Sequence, residues 1–117
     1  MTARLYGRVV GTLLALLGID GFFSGEFPLF GVLNVDPFES LLHLPTSVVL
    51  LGAGFVPRGG RAAGVAALTM GVLYTLVGAV GIVLPNFFGL VPGGLSLVDA
   101  LLHLAVGALG IAAADLA

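Results

Sequence analysis

The chain has no cysteine, and its 117 residues include only four basic side chains, six acidic ones and two histidines. Without cysteine there are no disulfides, no thiolate metal ligands and no thiol catalysis, and the redox compartment stays open. The scarcity of charge excludes more. A soluble domain is about 25% charged, whereas this chain is 9% charged and 59% hydrophobic. Such a composition has too little polar surface to meet water, so the lipid bilayer is the expected solvent and partner. A net charge of −2 without a basic patch argues against nucleic acid. Alternating apolar and polar strands are also missing, which sets aside a membrane barrel and leaves helices.

What is present is four long apolar runs. A spanning helix takes about 17–25 apolar residues, and segments at about 6–23, 39–56, 62–84 and 97–114 meet that length, each flanked by glycine, proline or charge. The expected fold is all-α, an integral membrane four-helix bundle forming a single domain over 1–117. Arg4 and Arg8 ahead of an apolar run resemble the front of a signal peptide. However, Phe22-Phe23-Ser24-Gly25-Glu26 makes a poor cleavage site, so the first helix is expected to be retained.

The basic residues sit in two places. Arg4 and Arg8 lead the first helix, and Arg58 and Arg61 lie in the link between the second and third. Asp20, Glu26, Asp36, Glu39 and Asp99 lie in or beside the other two loops. The positive-inside rule then puts both termini and the Arg58–Arg61 link in the cytoplasm of a multi-pass plasma-membrane protein.

The second half repeats the first at a spacing of 60 residues. Gly11 aligns with Gly71, Leu13 with Leu73, Leu16 with Leu76, Gly18 with Gly78 and Gly21 with Gly81. Leu41 to Leu44 align with Leu101 to Leu104, which matches His43 with His103. Repeat one covers about 4–57 and repeat two about 61–116. Each holds two helices, so the copies enter the membrane in the same direction, as parallel tandem hairpins.

In both copies an acid opens a helix and a histidine follows one turn later: Glu39 with His43, Asp99 with His103. Asp36-Pro37-Phe38-Glu39 and Ser96-Leu97-Val98-Asp99 have the layout of a capping box, which satisfies the open amides at a helix start. A carboxylate there also meets the positive end of the helix dipole. The histidines lie on the same face as the acids, roughly 6–8 Å into the membrane side. A polar ring at that depth faces the bundle interior or a wet cleft. One reading is an acid–imidazole pair, or an interhelical hydrogen bond, that keeps the halves in register. In the other reading the second and fourth helices face each other, and Glu39, His43, Asp99 and His103 converge near the outer surface to bind zinc or another divalent metal. A third has the two histidines ligating a haem b iron from both sides. No cofactor is required by the sequence. General acid–base chemistry lacks a nucleophile and an oxyanion site, since Ser40 is replaced by Ala100 in the second copy, so the chain is not expected to be an enzyme.

Small residues line the helices. Gly7, Gly11 and Gly18 mark the first, and Gly64, Ala67, Gly71, Thr75 and Gly78 the third. Ser47 and Gly107 follow each histidine by one turn, with Gly54 and Gly110 further along. In lipid, close approach through small residues replaces the hydrophobic driving force between helices. The faces serve packing within the bundle or, alternatively, a homo-oligomer or a larger membrane complex. Pro45 removes a backbone bond at Leu41 and bends the second helix, with Thr46 and Ser47 expected to serve the freed carbonyl. Phe22, Phe23, Phe27, Phe30, Phe38, Phe87 and Phe88 gather near the outer ends as boundary anchors or packing for the outer loops, or as the lining of an apolar entry for lipid or quinone. Mid-span polar groups are confined to Thr12, Thr46, Ser47, Thr69, Tyr74 and Thr75, which disfavours a pump or an ion channel.

The paired elements resemble a family of small bacterial four-helix membrane proteins catalogued as domain of unknown function 4383, in which each hairpin carries H-L-x-x-G. His103-Leu104-Ala105-Val106-Gly107 fits, and His43-Leu44-Pro45-Thr46-Ser47 fits with serine for glycine. Where that family often has asparagine three residues before the histidine, this chain has Ser40 and Ala100. The resemblance implies the four-helix layout over nearly the whole chain and brings no activity with it. The expected role is a structural or accessory membrane protein that associates with itself or with a larger complex. The alternative is a ligand-binding module that holds a metal, haem or apolar molecule at the outer acid–histidine cluster.

Overall fold

A computed structural model describes residues 1–24, 37–57, 60–91 and 94–116. They form α1 (Ala3–Ser24), α2 (Pro37–Phe55), α3 (Gly60–Val83) and α4 (Leu97–Ala113), with a 3₁₀ turn at Phe87–Gly89 between the last two. The first three helices start two or three residues earlier than the apolar runs suggest, because polar and turn residues complete the opening turn. For α1 the completing group is Thr2, whose hydroxyl oxygen accepts from the Leu5 amide at 3.2 Å. Asp36, expected to cap α2, lies outside the described residues, as do Glu26, Phe27, Phe30 and Arg58.

Three helices are long and apolar enough to cross a membrane: Ala3–Phe23, Pro37–Phe55 and Gly60–Val83. The fourth has 17 residues. At 1.5 Å per residue it extends about 26 Å, against a hydrocarbon core of about 30 Å. Its C-terminal boundary is set by Ala114, which leaves the helix with φ −63° and ψ 121°.

Glycines bring the helices together as two antiparallel pairs. A Cβ on Gly18 would stand 2.6 Å from Leu44 Cγ, and one on Gly11 2.9 Å from Leu51 Cγ. Sixty positions on, the same contacts recur in the other pair: a Cβ on Gly78 would lie 2.7 Å from Leu104 Cγ, and one on Gly71 2.7 Å from the Ile111 amide nitrogen. Gly7 fits against Leu50 O and Gly54 in the first pair, and Gly107 against Thr75 and Gly71 O in the second. Gly7, Gly11, Gly18, Gly71, Gly78 and Gly107 thus lie against partner helices of the bundle. Gly52 differs, for nothing lies within 4 Å of a Cβ built there.

Tyr6 joins the pairs at one end of the bundle. It is fully buried near the start of α1, packs on Gly110 of α4, and donates its hydroxyl to Val106 O at 3.0 Å. The start of α1 therefore meets the end of α4, and both hairpins open from one end of the bundle. At that end Arg4 donates to Pro57 O (2.7 Å) and Arg8 Nε to Gly54 O (2.8 Å), while the Arg8 guanidinium lies 4.9 Å over the Phe55 ring. The last turn of α2 has no basic residue of its own. Arg8 thus serves a carbonyl that the helix end leaves open, and Arg4 one just beyond it.

α2 runs unbroken through Pro45. Thr46 Oγ1 lies 2.8 Å from Leu42 O and 3.0 Å from His43 O, and Ser47 Oγ donates to Leu44 O at 2.7 Å. The expectation that these hydroxyls serve Leu41 is therefore corrected. A helical hydroxyl reaches back three or four residues, and Leu41 is five and six residues behind them.

Polarity is inverted across the bundle. Glu39, Ser40 and Ser47 are among the most deeply buried side chains, while Leu13, Leu16, Leu41, Val48, Leu76 and Leu101 are exposed.

Candidate functional site

The acid–histidine residues of both halves meet in one cluster. Glu39, His43, Asp99 and His103 are 0%, 3%, 5% and 5% exposed. α2 supplies the first pair and α4 the second, each with its acid in the first turn and its histidine one turn on. Helical spacing aligns acid and imidazole within a pair. The crossing of the two hairpins then brings the pairs together.

The pairs are joined unequally. Glu39 Oε2 lies 3.2 Å from His43 Nε2 in its own helix and 3.5 Å from His103 Nε2 in the other hairpin. Asp99 Oδ1 lies 3.1 Å from His103 Nδ1, and Asp99 O stands 2.8 Å from the same nitrogen. The difference follows from one methylene. Glutamate at position 39 is long enough to span the hairpins, whereas aspartate at 99 serves the imidazole of its own helix. One atom settles the tautomer of His103. A carbonyl oxygen only accepts, so Nδ1 carries a proton, and its other partner is a carboxylate. His103 Nε2 is then the nitrogen turned to Glu39, at a distance too long for a well-formed N–H···O bond. His43 Nδ1 and Ser40 Oγ are buried and have no hydrogen-bond partner among the described residues.

Tyr74 from α3 completes the cluster. Its ring stacks on His103 with centroids 5.4 Å apart and on His43 at 6.3 Å, and the two imidazoles stack at 5.8 Å. All three separations fall in the range of favourable ring pairs. Tyr74 is 1% exposed, and its hydroxyl lies 2.7 Å from Thr46 Oγ1. The Thr46 proton goes to a main-chain carbonyl, so Tyr74 is the donor in that bond.

The helix starts carry part of the expected caps. Ser96 Oγ accepts from the Asp99 amide at 3.1 Å. Beside them Phe87 is 9% exposed and its ring lies 5.7 Å from that of Phe38. Phe87 is therefore core, which agrees with the packing reading of these rings and not with the anchor reading. The reason is local: Phe87 and Phe88 both take left-handed backbone angles (φ 48° and 59°), which turn one ring inward and leave Phe88 85% exposed. Phe22 and Phe23 are exposed as expected of anchors.

Three donor groups fit a metal ion. Glu39, His43 and His103 each present one ligand atom within 4.8 Å of the others. A haem does not fit, because both Nε2 atoms turn to the same oxygen of Glu39 and the two rings stack, instead of facing each other across a porphyrin. Sequence reasoning missed Tyr74 as a member of the cluster and Tyr6 as a link between hairpins. Their rarity was the available signal, since the chain has only two tyrosines. No family model, curated protein or solved structure matches the chain.

Proposed function

We propose that the chain is a non-catalytic integral membrane protein of structural or accessory type, in which two like hairpins are tied together by the buried acid–histidine cluster. All four helices cross the plasma membrane, with both termini and the α2–α3 link in the cytoplasm and the cluster at the outer side. The hairpins descend from one ancestral unit. The recurrence of the Gly18–Leu44 and Gly11–Leu51 contacts as Gly78–Leu104 and Gly71–Ile111 supports that reading. Membership of the small four-helix family with paired histidine–leucine elements belongs to the same proposal.

The observation that carries it is the inverted polarity: ionisable groups inside, large aliphatic side chains outside. Water penalises that distribution and lipid rewards it. What the spans hold supports an accessory role. Among the described residues, span hydroxyls are used on their own helices, as with Thr12 on Arg8 O and Thr75 on Gly71 O. The protein acts by association, with itself or with a larger membrane complex.

Because the chain has no cysteine, single cysteines report topology without background. In intact cells, a membrane-impermeant maleimide is expected to label Asn86→Cys, in the α3–α4 link. It should leave Thr2→Cys and Arg61→Cys unlabelled until the membrane is opened. Labelling of Thr2→Cys in intact cells would refute the orientation.

A further inference from the structure

We propose that Glu39, His43 and His103 bind one divalent metal ion of the zinc class, and that Asp99 positions His103 for it. The site deepens the proposed tie between hairpins, since an ion held by α2 and α4 together closes it.

Four observations lead there. The first is the direction of His103. Asp99 accepts the Nδ1 proton through both carbonyl and carboxylate oxygens, which turns Nε2 toward Glu39 Oε2. These two atoms stand 3.5 Å apart, a gap that a shared cation, proton or metal ion, closes. The second is the arrangement behind the ring. A metal-ligating histidine characteristically donates its other N–H to a carboxylate or a main-chain carbonyl, which fixes the tautomer and raises basicity. His103 has both.

The third is spacing. Ligands on a tetrahedral zinc, with bonds of about 2.0–2.1 Å, stand roughly 3.3–3.4 Å apart. Glu39 Oε2 is 3.2 Å from His43 Nε2 and 3.5 Å from His103 Nε2. The three ligand atoms lie within 4.8 Å of one another, so a modest inward turn of the imidazoles completes the triangle. The fourth is charge. Glu39 and Asp99 bring two carboxyl groups into one buried cluster, the acid count that a divalent ion balances.

Donor chemistry selects the class. Imidazole nitrogen and carboxylate oxygen suit zinc and its borderline neighbours, while the absence of cysteine removes the thiolates that select softer ions. Three protein ligands leave a fourth position for water or for a group from a partner.

The test uses the full chain, purified in detergent, stripped with chelator and titrated with zinc or cobalt chloride. Wild type is expected to take up one ion per chain, and the cobalt form to show the visible absorption of a four-coordinate site. His43→Ala and His103→Ala should lose binding by at least about 100-fold while keeping helical circular dichroism. His103→Gln, closer in volume, serves if alanine unfolds the chain. Asp99→Asn should still bind one ion, about 10–100-fold more weakly, with a shifted cobalt spectrum that a merely structural role would not produce. A folded wild type that takes up no ion, or uptake unchanged in His43→Ala and His103→Gln, overturns the site. If wild type binds nothing yet Glu39→Ala still destabilises it, the site falls and the tie between hairpins stands.

Discussion

Glu39→Ala is expected to lower the stability of the detergent-solubilised protein by about 3–5 kcal/mol, the cost of breaking a buried ionic group by removing one member. The size follows from position. Glu39 is fully buried, and its Oε2 lies within 3.5 Å of an imidazole nitrogen from each hairpin. Its loss strands His43 and His103 in a low-dielectric interior and leaves a void beside them. Glu39→Gln should cost less, because the amide keeps the volume and one acceptor oxygen. Replacing the whole set at once, with Glu39→Leu, His43→Leu, Asp99→Leu and His103→Leu, should cost less than Glu39→Ala alone, since apolar groups of similar volume leave nothing polar unserved. Chaotrope unfolding in micelles, followed by circular dichroism, gives all three values. A quadruple variant far less stable than Glu39→Ala would show that the cluster does more than satisfy itself.

The second large effect lies at the α3–α4 seam. A Cβ on Gly107 would stand 2.5 Å from the Thr75 amide nitrogen and 2.7 Å from Gly71 O, and one on Gly71 2.9 Å from Gly107 O. These obstacles are main chain and have no rotamer to change, so the helices must separate. Gly107→Ala and Gly71→Ala should each cost about 1–3 kcal/mol. The pair together should cost less than the sum, because one separation accommodates both methyl groups. Gly11→Ala meets Leu51 Cγ first, a side chain able to turn, and should be milder. Gly52→Ala meets nothing within 4 Å and should be neutral, or stabilise by up to about 1 kcal/mol through helix propensity. The same unfolding measurement ranks the four, and Gly107→Ala equal to Gly52→Ala would contradict the packing.

Much of this was legible in the sequence, for definite physical reasons. Long apolar runs leave helices as the way to satisfy the backbone, so α1 to α4 lie close to the expected segments. The 60-residue register put the histidines at like depth in like helices. The two tyrosines were hidden by that same register, since Tyr74 pairs with Leu14 and Tyr6 with Ala66. A reading built on recurrence overlooks residues that break it. Which acid bridges the hairpins depends on one methylene between Glu39 and Asp99, and its meaning appears only once the helix separation is known. The arginines of α1 were read for topology alone, because their second task, serving the carbonyls of Gly54 and Pro57, depends on how two helix ends meet.

The central claim is that the two halves of the chain are tied through Glu39 and His103, and a double-mutant cycle between these residues tests it most directly. With Glu39→Gln, His103→Gln and the double variant unfolded under identical conditions, the account predicts a coupling of about 1–3 kcal/mol. Additivity of the two substitutions, within about 0.5 kcal/mol, would contradict it.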